Sequence, residues 1–363
     1  MGKKIVFILN GIYKSRCIKR IEEFIDNGYD VDVYGFSWDN GLENKSEKFV
    51  INVIGNQSNR FSYLKRLWII IKSVYPLIRK YKNQDIWFYY FFIDVAIGSS
   101  FLSKAPYLYE ESDIPYLNMH NKLVKFLMRL LDRRIIRKSL LTIMTSEGFI
   151  KYHFGSNAPG NIVLIPNRLN SRIIDYPFTP RMFNKDCLSI GFVGGVRYKS
   201  ILSFAEVFVS HYPLYHFHVF GDIERPFEDW CQMLLQRYDN LHFHGIFHNP
   251  EDLSSIYEQI DLVLATYDIS SENVRYAEPN KLYESIYFNT PIIVSEGTFL
   301  SDKVERLGVG YSIDPLDEQS IIDFVDSLSE KDVLRKKNAE KQIPISYVIN
   351  RNPELFEILR AKN

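Results

Sequence analysis

Short apolar runs alternate with longer stretches of helical periodicity along most of the chain. "KKIVFILNG" (3–11) is an apolar β-run ending in Asn-Gly, and "CIKRIEEFIDNG" (17–28) has helical spacing and a Gly stop. "YDVDVYGF" (29–36) reads as the next strand, followed by "DIWFYYF" (85–91), "APYLYEE" (105–111), "LLTIMTS" (140–146) and "IVLIPN" (162–167). An irregular segment with two prolines, "RLNSRIIDYPFTPRMFNKD", then reads as an interdomain linker. A second alternation follows, with strands at "CLSIGFVGG" (187–195), "YHFHVFG" (215–221), "NLHFHG" (240–245), "IDLVLATY" (260–267) and "PIIVSEG" (291–297). Strand–helix–strand order of this kind predicts parallel sheets covered by helices on both faces. The expectation is an α/β protein of two doubly wound halves facing one another, with ligands at the carboxyl ends of the strands.

Length agrees with that division. A chain of 363 residues exceeds one ordinary core and suits two domains of roughly 150–200 residues. No apolar run approaches the ~20 residues of a membrane span. The N-terminal "MGKKIVFILN" reads as a first strand rather than a signal peptide, having no long apolar region and no small-residue cleavage site. Three cysteines, Cys17, Cys187 and Cys231, are not spaced as metal ligands and fit a reducing cytosol. The net charge is zero, but residues 1–200 carry 30 Lys/Arg against 17 Asp/Glu, and the remainder carries 14 against 27. A basic half of this kind suits an anionic surface or substrate.

Two segments of the second half have the chemistry of phosphate binding. "GFVGGVRYKS" (191–200) is a buried strand, a Gly-Gly turn, then Arg197 and Lys199 ahead of a helix. Small residues at such a turn, Gly195 among them, let backbone N–H groups approach an anion that the two cations neutralise. The turn is not a GxGxxG, so a nicotinamide cofactor is poorly supported. In "RYAEPNKLYESIYFNTPIIVS" (275–295), Pro279 reads as the first helical residue, which puts Lys281 in the first turn. A cation at the positive end of a helix dipole is locally disfavoured unless an anion sits there. Glu284, one turn on, could accept hydrogen bonds from a sugar diol. Taken singly, each segment also reads as a solvated turn or a surface pair at i, i+3.

Other patterns carry less. Six of the eight histidines fall in 211–248, including "HFH" (216–218) and "HFHG" (242–245). Pairs at i, i+2 share a strand face, so neighbouring strands make a metal site conceivable, although no Cys or carboxylate stands at ligand spacing. "DVD" (30–32) lies inside an alternating strand and reads as structural. "RFSYLKRLWIIIKSVYPLIRKYK" (60–82) and "NKLVKFLMRLLDRRIIRKS" (121–139) are basic amphipathic helices. They read either as domain-covering helices with solvated faces or as a surface for an anionic leaflet. No nucleic-acid module accompanies the charge, so nucleic acid is not expected as a partner.

At these residues the chain resembles glycosyltransferase family four, the retaining GT-B sugar transferases, especially those of bacterial capsule and exopolysaccharide assembly. "NVRYAEPNKLYESIYFNTPIIVS" is similar to the family's C-terminal signature, and "GNIVLIPNRLN", "IGFVGGVRYKS", "LHFHGIFHNPEDLSSIYEQIDLVL" and "LGVGYSIDPLD" follow its order. The resemblance is specific over about 160–318. In the first half, Gly11 stands where the family has its glycine loop. Two positions differ. Tyr276 stands where the family commonly has a Glu, with Glu278 two residues later, and Ser112 in "LYEESD" (108–113) stands where a His is common.

The resemblance implies a GT-B fold, two Rossmann-like doubly wound domains facing across a cleft. Residues 1–175 would form an acceptor domain and 186–342 a nucleotide-sugar domain, with a helix in 343–363 crossing back. It implies a UDP- or GDP-sugar donor, a saccharide or polyprenyl-linked acceptor, no cofactor and no metal. Arg197, Lys199 and Lys281 would bind the diphosphate, helped by first-turn amides of Asn280, Lys281 and Leu282. Glu284 would bind the ribose, Gly195 and Gly11 would border the phosphates, and Tyr276 and Glu278 would lie near the donor sugar. The implied role is sugar transfer in surface polysaccharide biosynthesis, in the cytoplasm and peripheral to the membrane. A non-catalytic GT-B subunit and a GT-B-like nucleotide-sugar epimerase stand as the alternatives.

Overall fold

In a computed structural model, residues 3–12, 15–38, 46–58 and 60–362 are described. Contacts divide the chain into two compact units, residues 1–166 with 352–363, and residues 167–351.

The first unit is built on β1 (Lys4–Leu9), β2 (Asp30–Trp38), β3 (Ile51–Gln57), β4 (Ile86–Phe91), β5 (Tyr107–Glu111), β6 (Leu141–Met144) and β7 (Ile162–Leu164). They pair in parallel in the order β3-β2-β1-β4-β5-β6-β7. Between them in the chain lie α1 (Ser15–Asp26), α2 (Tyr63–Tyr81), α3 (Ile93–Ser100), α4 (Lys122–Lys138) and α5 (Glu147–Phe154). The central strand "IWFYYF" is buried at every position, as a strand covered on both faces must be. Side-chain oxygens start the helices: Ser62 accepts from Lys65 N–H, Asn121 from the N–H groups of Leu123 and Val124, and Ser146 from Gly148 N–H. Asp30 and Asp32 of the "DVD" pair with Lys4, at 3.3 and 3.0 Å, at the amino end of β2. That is the structural role read for them.

The second unit contains β8 (Ser189–Val193), β9 (His216–Phe220), β10 (Leu241–Gly245), β11 (Leu262–Ala265), β12 (Ile292–Ser295) and β13 (Gly310–Ile313). Its parallel order is β10-β9-β8-β11-β12-β13. The helices are α6 (Lys199–His211), α7 (Arg225–Arg237), α8 (Leu253–Tyr257), α9 (Glu272–Tyr276) and α10 (Lys281–Phe288). They continue with α11 (Phe299–Leu307), α12 (Glu318–Ser327), α13 (Glu330–Gln342) and α14 (Ile345–Val348). The last helix, α15 (Pro353–Ala361), belongs to the first unit, where Leu355, Phe356 and Leu359 join the core and Phe356 meets Phe24 edge-on.

Two apolar clusters sandwich the second sheet, one around Phe192, Phe204, Phe208 and Phe217, the other around Val193, Val263, Ile286 and Phe288. The stretch read as linker is part of this packing. Leu169 and Ile173 lie in the second cluster, and the Phe178 ring meets Phe288 at 4.8 Å. Both halves are thus doubly wound parallel sheets, as the alternation predicts. The strands that the pattern leaves unread, β3 and β13, are both sheet edges.

Candidate functional site

Strand order in the second sheet reverses at β8, with β9 on one side and β11 on the other. Ligands of doubly wound sheets bind outside the strand ends at such a switch point. β8 ends there in Gly194-Gly195. Gly194 has φ +148° and donates its N–H to Phe220 O at 2.7 Å. Gly221, at φ +142°, packs so closely that a Cβ on it would lie 2.0 Å from Gly194 O. Only glycine allows both the backbone angles and this approach. Val196 N–H donates to Asp222 O at 2.8 Å. A Cβ on Gly195 would lie 2.6 Å from Asp222 Oδ1, so the turn has no room for a side chain.

Arg197 and Lys199 project from this turn, both exposed. Arg197 Nε pairs with Glu224 Oε1 at 3.2 Å. Lys199 is itself the first residue of α6, so the helix begins earlier than the sequence indicates. The opening amides of α6 are not open to an anion, because the Asp268 carboxylate accepts from Lys199 N–H at 3.1 Å and Ser200 N–H at 2.8 Å. The negative charge expected of a ligand at that helix end is supplied by the protein, from the loop after β11. Anion binding at this turn therefore falls to the two side chains and to the Gly-Gly backbone.

The second segment lies beside the first: Lys281 Cε is 3.9 Å from the point a Gly194 Cβ would occupy. α10 starts at Lys281 with Asn280 as its N-cap, so Pro279 precedes the helix instead of opening it. Lys281 remains in the first turn but is only 6% exposed. Its Nζ donates to Glu284 Oε2 at 2.8 Å. The same oxygen accepts from Tyr257 OH at 2.8 Å, and Asn280 Nδ2 donates to Oε1. Burial and the Glu284 charge hold the Tyr257 hydroxyl well above its ordinary pKa, so it stays a donor.

Glu284, read as the acceptor for a diol, is completely buried, and its oxygens accept from Tyr257, Asn280 and Lys281. Leu282, read as an amide donor, gives its N–H to Pro279 O at 3.4 Å and buries its side chain in the core. Among the described residues the N–H groups of Asn280 and Lys281 have no carbonyl partner, as first-turn amides do not.

On the far side of α10, Glu278 is buried and accepts from Lys303 Nζ at 2.6 Å and from Tyr283 OH. Its Oε2 is buried with no partner among the described residues. Tyr276, half-buried, closes α9. Gly11 is buried immediately after β1 in the first unit. Ser112 is buried just after β5, and its carbonyl accepts from Thr145 Oγ1 at 3.3 Å. Asp268, Tyr257 and Lys303 escaped the sequence reading, since each meets its partner across 25 residues or more with no local motif to mark it.

The chain matches no protein-family model and no curated protein sequence. Solved structures do match. The sucrose-phosphate synthase of Thermosynechococcus elongatus superposes with TM-score 0.70 at 13% identity, covering 99% of this chain and 100% of its own. Anabaena HepE in complex with UDP and glucose gives 0.68 at 14%, covering 98% and 99%. WaaG, a glycosyltransferase involved in lipopolysaccharide biosynthesis, gives 0.66 at 15%, covering 95% and 97%. The fold is GT-B. Identities this low carry the fold and leave activity to be argued from the site.

Proposed function

We propose that this chain is a glycosyltransferase that moves a sugar from a UDP- or GDP-linked donor to a saccharide acceptor with its anomeric configuration retained. The observation that carries the reading is Lys281, a nearly buried ammonium in the first turn of α10 beside the glycine turn at the switch point. Glu284 takes one of its three N–H donors, which leaves two for the oxygens of a diphosphate. Arg197 and Lys199, on the exposed rim of the turn, complete the positive surface; Arg197 would exchange Glu224 for phosphate. The Asn280, Lys281 and Gly195 amides add donors that need no reorganisation.

In the reaction the bond from the anomeric carbon to the diphosphate oxygen breaks, and a bond from the acceptor hydroxyl oxygen to the same carbon forms. Fixed cations stabilise the departing diphosphate, so no metal is required, and its oxygen takes the acceptor's proton. Glu284 serves by holding Lys281; a ribose diol reaches its Oε1 only by displacing the Asn280 amide. Glu278, with one unpartnered oxygen, and Tyr276 are the candidates for the sugar side, and Gly11 for the first unit's approach to the phosphates.

The ligands of HepE, UDP and glucose, favour a nucleotide-sugar donor, and the lipopolysaccharide role of WaaG favours a surface saccharide as product. A lipid-linked acceptor fits the basic, apolar faces of α2 and α4, which suit work at the cytoplasmic face of a membrane. The test is thermal unfolding with UDP, GDP, ADP and their common sugars. One nucleotide at 100 times its Kd is expected to add about 2.7 kcal/mol. Lys281→Ala should abolish that response. Silence towards every nucleotide overturns the reading in favour of a non-catalytic subunit. Turnover of donor without acceptor overturns it in favour of an epimerase.

A further inference from the structure

The histidines of β9 and β10 form a continuous row on one sheet face. Alternation turns Phe217, Val219, Leu241 and Phe243 toward the core around Phe208 and leaves His216, His218, His242 and His244 on the other side. The parallel register sets His242 opposite His218. His216 Nδ1 lies 2.9 Å from His242 Nε2, and His218 Nδ1 lies 3.1 Å from His244 Nε2. The rings of His218 and His242 stack at 4.8 Å, and His244 stacks on Phe220 at 4.2 Å. β10 is the edge of the sheet, and His244 at its end is exposed while the other three are half-buried.

Surface histidines commonly find a carboxylate; His211 and His248 do so here, with Glu318 and Asp252. Among the described residues none of the four in the row does. Their polar partners are one another. An imidazole–imidazole hydrogen bond needs one ring nitrogen to donate and the other to accept, so the accepting ring of each pair is neutral, the form that binds metal. Two ligands at cis positions about 2.0–2.1 Å from one ion stand about 2.9–3.4 Å apart. The observed 2.9 and 3.1 Å fall in that range, so both nitrogens of a pair reach one ion once the rings tilt their lone pairs towards it.

From these contacts we infer that the His216–His242 and His218–His244 pairs are binding sites for imidazole-preferring divalent transition metals, one ion to a pair, with water completing the coordination. The ligand class is copper(II) ahead of nickel and zinc, and excludes the oxygen-seeking magnesium and calcium. A bound ion bridges β9 and β10 and so pins the edge strand. The inference is independent of the donor site.

The test uses the full chain freed of any affinity tag. Copper(II) titration followed by electron paramagnetic resonance is expected to show imidazole nitrogen coupling, and zinc should raise the melting temperature where magnesium does not. His216→Gln should lose one of the two ions. His218→Gln with His242→Gln breaks both pairs and should lose both, while melting normally without metal and keeping any nucleotide response. Copper and zinc binding undiminished in the double variant, or absent from the unaltered chain, overturns the inference.

Discussion

Gly221 shows how little latitude the candidate site has. With φ +142° and the Gly194 carbonyl 2.0 Å from where a Cβ would stand, any side chain both strains the backbone and forces the turn open. Gly221→Ala is expected to destabilise the second unit by about 1–3 kcal/mol from backbone strain alone, and by more from the clash. Urea melts measure this, and nucleotide binding should weaken in parallel because Gly194 moves.

Asp132 makes a pH prediction in the first unit. Its carboxyl is buried beside Glu111, accepts from Tyr109 and Tyr116 at 3.1 and 2.9 Å, and is pushed up to about 8 by burial and the Glu111 charge. His153, 2.9 Å from Glu111, is pushed down to about 4 by burial. Between about 4 and 6.5 the native state holds the acid's proton while the unfolded state holds the imidazole's, so the two effects oppose. Above about 6.5 only the acid remains: the native state binds the extra proton, and stability should fall as pH rises to about 8. Glu111, raised by burial, acts in the same direction. Asp132→Asn mimics the neutral acid and should make that fall in melting temperature shallower; an unchanged slope would sink the assignment.

Residues also differ in how far the sequence exposes them. Lys281 stands out in the sequence because a lysine at a positive helix end conflicts with a local rule, and such conflicts are expected at functional sites. Asp268, which caps α6, and Tyr257, which holds Glu284, are not. Their partners lie 68 and 27 residues away, and only the fold brings them together.

Among the elements, α2 and α4 carry the most unusual surfaces. Leu64, Trp68, Ile71 and Tyr75 are exposed along α2 at helical spacing, and Phe126, Leu127 and Leu130 along α4, with Trp68 60% and Phe126 57% exposed. Acids do not dilute this surface: α2 has none, and the one in α4, Asp132, is buried. Lys72 lies over the Trp68 ring and Arg79 over Tyr75, so cations flank the apolar row. An apolar stripe edged with cations suits the boundary of an anionic bilayer. No helix among the described residues is long and apolar enough to cross one. Trp68→Ser with Phe126→Ser is expected to reduce sedimentation with phosphatidylglycerol vesicles at least tenfold, while nucleotide-induced stabilisation is unchanged. Equal sedimentation would leave these faces merely solvated.

The strands show where patterning succeeds. Central strands such as "IWFYYF" and "LVLA" are buried throughout and stand out as apolar runs. The edge strand β3, "INVIGNQ", has a single buried residue, and β13 offers four residues beginning with a glycine, so neither has the signal of a two-sided core.

For the whole molecule, two units with separate cores imply two cooperative transitions on heating, since each buries its own apolar faces. The chain contributes to the first unit from both ends, and α15 seals it: Phe356 meets Phe24 at 5.2 Å, and Asn352 Nδ2 donates to Glu23 at 3.1 Å. Phe356→Ala should cost about 3–5 kcal/mol, the usual range for a buried aromatic. The loss should appear only in the transition of the first unit. A donor nucleotide at the Lys281 site should move only the other. Calorimetry of the same sample with and without nucleotide therefore assigns both transitions. If Phe356→Ala lowers both together, the two units unfold as one cooperative body; if nucleotide raises the first unit's transition, the Lys281 site is not where the nucleotide binds.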